Sequence, residues 1–222
     1  MEQGPPLDGR AKRLWLLADL IASSPHNLVS RRDREDVFGL HLQECVALAD
    51  VLPIRSGERW IDVGTGGGLP GLVLALCRPD TDWTLLDATR KKAEAVRSFA
   101  AALDLENVEV LHGRAEELAH QHGRRGQFDG AVTRAVGPLP LVMELSRGFV
   151  GPGGTIAAVR GRQWAADIHS ARRAACLLRL TDIHSIAVPD AVRETWLVTM
   201  CAEGPPPEQY PRADGIPRVK PL

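Results

Sequence analysis

Residues 60–71 read WIDVGTGGGLPG, and five of the eight positions from Gly64 to Gly71 are glycine. Glycine reaches left-handed backbone conformations easily, but it loses more conformational entropy on folding than any other residue. A chain that concentrates glycine this way is building a turn that a ligand or another backbone approaches closely. Trp60 to Val63 reads as a short apolar strand interrupted by Asp62, and Leu69 to Cys77 is apolar enough for a buried helix. Strand, glycine turn and helix in that order present backbone N–H groups and a helix N-terminus to a nucleotide-like ligand. Asp87 closes a second apolar stretch, Trp83-Thr84-Leu85-Leu86, at about the ~20-residue distance expected of a ribose-binding acid.

The glycines can be read in two registers. Gly66-x-Gly68-x-x-Gly71 matches the dinucleotide fingerprint, but it begins late, after Gly64-Thr65. It also sets Pro70 where a helix should be starting, which is tolerable only in the first turn. Asp62-x-Gly64-x-Gly66-x-Gly68 follows the strand directly and looks like the first motif of class I S-adenosylmethionine methyltransferases. A tight turn without a ligand is the bland reading, and the density of glycines argues against it.

The elements that must position these residues alternate along the chain. Residues 10–23 carry apolar residues at helical spacing until Ser-Ser-Pro stops them. Asp33 could cap a second helix running through Val51. Strands are expected near 59–63, 82–87, 107–111, 128–133 and 154–159, with helices near 69–77, 90–104, 114–121, 138–148 and 163–178. This rhythm specifies an α/β fold with a mostly parallel sheet covered by helices on both faces. Two last strands, near 180–188 and 194–201, are separated only by PDAVR and imply a terminal antiparallel hairpin, for seven strands in all. The expected organisation is an N-terminal helical extension (1–53), a ligand-binding domain (54–203) and a Pro/Gly-rich tail (204–222) that excludes helix and central strand.

Length and composition fit one α/β domain with a short extension: 222 residues, 44% hydrophobic and 25% charged. No apolar run approaches the ~20 residues of a membrane span. The N-terminal MEQGPPLDGR lacks a basic-then-apolar signal pattern. Cys45, Cys77, Cys176 and Cys201 have no paired spacing and read as reduced thiols of a cytoplasmic protein. No metal site is expected, because His112, His120 and His122 fall in or near the polar stretch HQHGRRGQ. A net charge of −1 excludes a uniformly basic nucleic-acid binder. The basic residues are nevertheless clumped, as at Arg31-Arg32-x-Arg34, Arg90-Lys91-Lys92 and Arg124-Arg125, and local patches can hold phosphates.

Several segments together resemble the small-subunit ribosomal RNA methyltransferase G family, also called glucose-inhibited division protein B. They are IDVGTGGGLPG, LLDATRKKA, NVEVLHGRAEEL, FDGAVTRAVGPL, GPGGTIAAVRG and the ending QYPRADGIPRVKPL. The resemblance runs from about Asn27 to the C-terminus. It departs at Leu40-His41-Leu42-Gln43-Glu44-Cys45, where only the histidine of the family's helix segment is unchanged, and at Arg160, where the family carries lysine.

The resemblance implies a Rossmann-like class I methyltransferase fold with S-adenosyl-L-methionine as cofactor. It implies that Gly64, Gly66 and Leu69 line the methionine side, Asp87 the ribose, and Ala115 and Glu116 the adenine, with Arg134 closing the site. His41, Arg114 and Arg160 are its substrate-pocket candidates. His41 also falls on the apolar stripe Val37, His41, Cys45, Leu48, so a packed core histidine is an equal reading. The implied reaction is methylation of a guanine N7 in the 530 loop of 16S ribosomal RNA. The partner would be the small ribosomal subunit or its assembly intermediate, met by a cytoplasmic monomer. Guanine N7 carries a lone pair and no proton, so no general base is required. The alternatives, in order, are a small-molecule methyltransferase, a nicotinamide-dependent oxidoreductase and a silent RNA-binding module. The tail is open to ordering on RNA.

Overall fold

The alternating apolar stretches become the strands of a single seven-stranded sheet. The computed structural model describes residues 8–222. The first seven residues, which carry part of the N-terminal signal reading and of the helical extension, lie outside the described residues. The strands are β1 (Arg59–Val63), β2 (Asp82–Asp87), β3 (Val108–His112), β4 (Phe128–Arg134), β5 (Val150–Arg160), β6 (Leu180–Ala187) and β7 (Trp196–Ala202). Their order across the sheet is β3-β2-β1-β4-β5-β7-β6. The first five run parallel, and β7 runs antiparallel to both of its neighbours. The expected terminal hairpin is therefore present, with β7 inside and β6 at the edge.

Helices cover both faces, as the alternation of the strands requires. Among the described residues they are α1 (Gly9–Ser23), α2 (Gln43–Val51), α3 (Gly71–Cys77), α4 (Arg90–Ala102), α5 (Ala115–Leu118), α6 (Leu139–Arg147), α7 (Trp164–Ser170), α8 (Arg172–Leu178) and α9 (Ile216–Val219). Successive strand residues point to opposite faces. Trp60, Leu85, Val132 and Ala157 join α1 to α4 in one apolar layer. Ile61, Leu86, Ala131 and Ile156 join α5, α6 and α8 in the other. Each fully buried leucine or isoleucine in these layers contributes about 1.5–3 kcal/mol. Helix α6 is buried at all nine of its positions, so it is the centre of the second layer.

Three expectations are corrected. The helix expected from Asp33 to Val51 is not uniform: a 3₁₀ turn (Arg32–Asp36) and a π-helical turn (Phe38–Leu42) precede α2. Asp33 lies inside the 3₁₀ turn, and its carboxylate is taken up by side chains and not by a helix end. The helix expected over 163–178 is split at Ala171, whose N–H is shared between the carbonyls of Asp167 and Ile168 as α7 tightens.

The third correction concerns the tail. Helix was excluded there, yet the tail packs on the second layer, buries Tyr210, and ends in the one-turn helix α9. Proline and glycine deny this segment a hydrogen-bonded ladder, so arginine side chains satisfy its carbonyls instead. Arg125 donates to Pro206 O, Pro207 O and Tyr210 O at 3.2, 2.8 and 3.1 Å. Buried Arg147 donates to Gly204 O at 2.7 Å. Arg125 thus holds the tail to the domain.

Candidate functional site

The glycine turn is tied together by one buried carboxylate. Asp62 leaves the end of β1 with no exposed surface, and its Oδ2 accepts from Thr65 Oγ1 at 2.7 Å and from Gly71 N at 2.9 Å. Both ends of the turn are therefore fixed to the same oxygen. Gly64 sits at φ +80°, and a Cβ there would lie 2.7 Å from Val136 Cγ2. Neither the left-handed conformation nor the space admits a side chain. At Gly66 a Cβ would meet nothing nearer than 4.0 Å, so the turn faces open space there. Asp87, at the end of β2, accepts from Gly66 N at 2.9 Å through Oδ2 and from Thr89 N at 2.7 Å through Oδ1. The acid expected at the ribose is thus also a strut of the turn.

Burial pushes the Asp62 carboxyl up to about 6, although its two hydrogen bonds partly oppose this. In the unfolded chain it titrates near about 3.9. Between those values the folded protein holds a proton that the unfolded chain has released. This contribution to stability is therefore present at the acid end of the window and is lost as pH rises through about 6. In urea unfolding from about pH 4 to pH 7, the wild type should lose on the order of 2–3 kcal/mol relative to Asp62→Asn. Parallel pH profiles for the two proteins would exclude a strongly buried acid.

Two cavities open at the carboxyl ends of the strands, where ligands of open α/β sheets bind. The first, of about 370 Å³, is lined by Gly64, Asp87, Lys92, Arg114, Ala115, Glu116 and Arg218 among others. Glu116 is 5% exposed and accepts from Arg114 Nη2 at 3.1 Å and Gly215 N at 3.3 Å. Arg114 also meets Asp214 at 2.7 Å. Burial alone would lower the Arg114 pKa, but Glu116 and Asp214 together raise it. This cavity combines exposed glycine backbone with a carboxylate suited to vicinal hydroxyls, so its residues fit a nucleoside-bearing cofactor.

The second cavity, of about 780 Å³, is lined by His41, Glu44, Arg134, Arg160, Arg162, Arg193 and Thr195 among others. Arg134 Nη1 meets Glu44 Oε1 at 2.9 Å, and Thr195 Oγ1 donates to Glu44 Oε2 at 2.7 Å. Burial alone would lower the Arg134 pKa; Cys45, Glu44 and Asp62 overcome this and raise it, so the side chain is a fixed cation. The Cys45 thiol behind it is pushed up to about 12 by burial and is no nucleophile. His41 Nε2 lies 3.0 Å from Asp33 Oδ2. Burial and then Arg134 lower the His41 pKa, leaving a neutral imidazole at neutral pH. Arg160 is held by Asp167 Oδ2 at 2.6 and 2.9 Å and donates to Gly137 O at 2.7 Å. The two cavities share Ala135, a non-glycine residue at φ +57°.

Against the sequence expectations, Gly64, Asp87, Ala115 and Glu116 meet in the smaller cavity, while His41 and Arg160 meet in the larger. Two arginines exchange places. Arg134, expected beside the cofactor residues, lines the larger cavity, because its ion pair with Glu44 draws it toward α2. Arg114, expected in the substrate pocket, lines the smaller one, drawn there by Glu116 and Asp214. Leu69 is 4% exposed and belongs to the apolar core, and Gly66 touches the site through its bond to Asp87. His41 is buried in the stripe and also lines the larger cavity. Sequence reasoning missed Glu44, Thr195, Asp33 and Asp214. Glu44 was within reach, since it stands three residues after His41 on the same helical face.

The fold is that of the O-methyltransferase TomG from Streptomyces achromogenes, solved in complex with S-adenosylmethionine. The two match with a TM-score of 0.57 and 19% identity, covering 90% of this chain and 92% of that one. A family model described as rRNA small subunit methyltransferase G matches residues 15–194. Ribosomal RNA small subunit methyltransferase G from Deinococcus deserti is 34% identical over 224 residues, covering 100% of this chain and 91% of the relative. The protein of the same name from Moorella thermoacetica is 34% identical over 200 residues, covering 88% and 82% respectively.

Proposed function

The chain belongs to the rRNA small subunit methyltransferase G family, and on that premise we propose that it transfers a methyl group from S-adenosylmethionine to guanine N7 in the 530 loop of 16S ribosomal RNA. The observation that carries this reading is the pair of cavities that share Ala135 in their linings, one suited to a nucleoside cofactor and one large enough for a base. S-adenosylmethionine supplies an activated methyl on a sulfonium.

The residues of the chain bind and orient. Gly64, Gly66 and Asp87 hold the cofactor at the turn, and Ala115 and Glu116 flank its base. Arg134, fixed by Glu44, whose other oxygen accepts from Thr195, and Arg160, fixed by Asp167, present cations to the acceptor from rigid positions. Holding N7 in line with the methyl is the main work, since positioning alone can remove much of a barrier. His41 acts here as a neutral ring hydrogen-bonded to Asp33, and the chemistry asks for no base. The target base leaves its stack to enter the larger cavity. We place this activity in the cytoplasm, with a monomer acting on the small subunit or its assembly intermediate.

The test is transfer of labelled methyl from S-adenosylmethionine to 30S subunits that lack the modification, followed by nucleoside analysis. Label recovered as 7-methylguanosine in 16S RNA is the expected result. Cofactor binding without RNA labelling would overturn the acceptor assignment and favour a small-molecule acceptor.

A further inference from the structure

We infer that residues 212–219 form a wall of the cofactor cavity and that Asp214 is a positioning residue there, acting through Arg114 on Glu116. The inference rests on reading the smaller cavity as the cofactor site.

The anchor is Glu144, a carboxylate with no exposed surface on α6. A buried carboxylate is tolerated only when it is fully paired. Among the described residues the tail supplies every hydrogen bond its side chain receives: Glu144 Oε1 accepts from Arg212 N at 2.9 Å and Arg212 Nε at 2.8 Å, and Oε2 accepts from Arg212 Nη2 at 2.7 Å. From that anchor the chain turns back over α5. Asp214 Oδ1 lies 2.7 Å from Arg114 Nη2, and the same nitrogen lies 3.1 Å from Glu116 Oε1. Gly215 N, at φ +77°, donates to that same Glu116 oxygen at 3.3 Å. Helix α9 then brings Arg218 into the lining of the cavity, beside Lys92 and Asp87.

Each contact of this chain of residues has a separate physical cause, and together they fix the rim of the cavity from outside the sheet. Without Asp214, Arg114 is free to turn away from Glu116, and Glu116 loses the cation that sets its direction. Arg218 adds a third cation to the lining, beyond Lys92 and Arg114. Linkage makes the coupling reciprocal: if the tail strengthens cofactor binding, bound cofactor must stabilise the tail by the same factor.

The experiment uses the full-length protein and S-adenosylhomocysteine as the probe. Affinity is measured by calorimetry for the wild type, for Asp214→Ala/Arg218→Ala and for Asp214→Glu. Asp214 is exposed, with 52% of its side chain accessible, so these changes leave the core untouched. Hydrogen exchange at residues 212–219 is followed in the wild type with and without the probe. The expected results are a roughly tenfold rise in Kd for the double variant, near-wild-type affinity for Asp214→Glu, and tail exchange slowed about tenfold by the probe. Unchanged affinity in both variants, or tail exchange indifferent to the probe, overturns the inference while leaving the cofactor reading in place. Wild-type protein that does not bind the probe overturns that reading and the inference with it.

Discussion

Asp87→Ala is expected to weaken S-adenosylmethionine binding by about 10- to 150-fold, corresponding to the roughly 1.5–3 kcal/mol of a hydrogen bond to a charged group. The loss has two sources. The carboxylate is the acceptor proposed for the ribose hydroxyls. It also accepts from the N–H groups of Gly66 and Thr89, at 2.9 and 2.7 Å, and so holds the glycine turn against the end of β2. Asp87→Asn separates the sources, because its amide oxygen can still accept from one backbone N–H. It should therefore bind more tightly than the alanine variant and less tightly than the wild type. Wild-type affinity for Asp87→Ala, measured by calorimetry, would remove this residue from the cofactor site.

The second large effect is expected at Glu44. Its ion pair with Arg134 is almost closed to solvent, with the two side chains 12% and 15% exposed. Glu44→Ala strands the Arg134 cation, and breaking a buried pair from one side costs about 3–5 kcal/mol. Replacing both partners by apolar residues of similar volume removes the stranded charge. Glu44→Leu/Arg134→Met should therefore recover most of the lost stability in urea unfolding. RNA methylation should stay lost in the double variant, since the cation facing the larger cavity is gone. A double variant that is stable and fully active would show that the pair only holds α2 to the sheet.

These two sites mark where reading the sequence succeeds and where it stops. Several strands were legible because they are short apolar runs closed by a glycine or an acid, as at Gly64 after β1, Asp87 in β2 and Gly113 after β3, and the glycine turn announced its own geometry. Position along the chain correctly placed Arg114 and Arg134 at strand ends. It could not say which way either side chain turns, because that depends on acids remote in sequence, Asp214 and Glu44. The π-helical turn before α2 was hidden for a similar reason. Apolar spacing reports which face is buried but does not resolve one extra residue in a turn. The tail misled most. Proline and glycine do exclude a ladder, yet a segment without a ladder can still be ordered when arginines from the domain take its carbonyls.

The strand order carries a consequence for synthesis. Strand β7 lies between β5 and β6, so a ribosome finishes both flanking strands before it makes the one that joins them. While the tail is still in the exit tunnel, β1 to β5 are complete and the cofactor cavity lacks the segment that carries Asp214 and Arg218. A nascent chain can thus hold the glycine turn well before residues 212–219 arrive, which makes Arg218 a late addition to the lining of the smaller cavity.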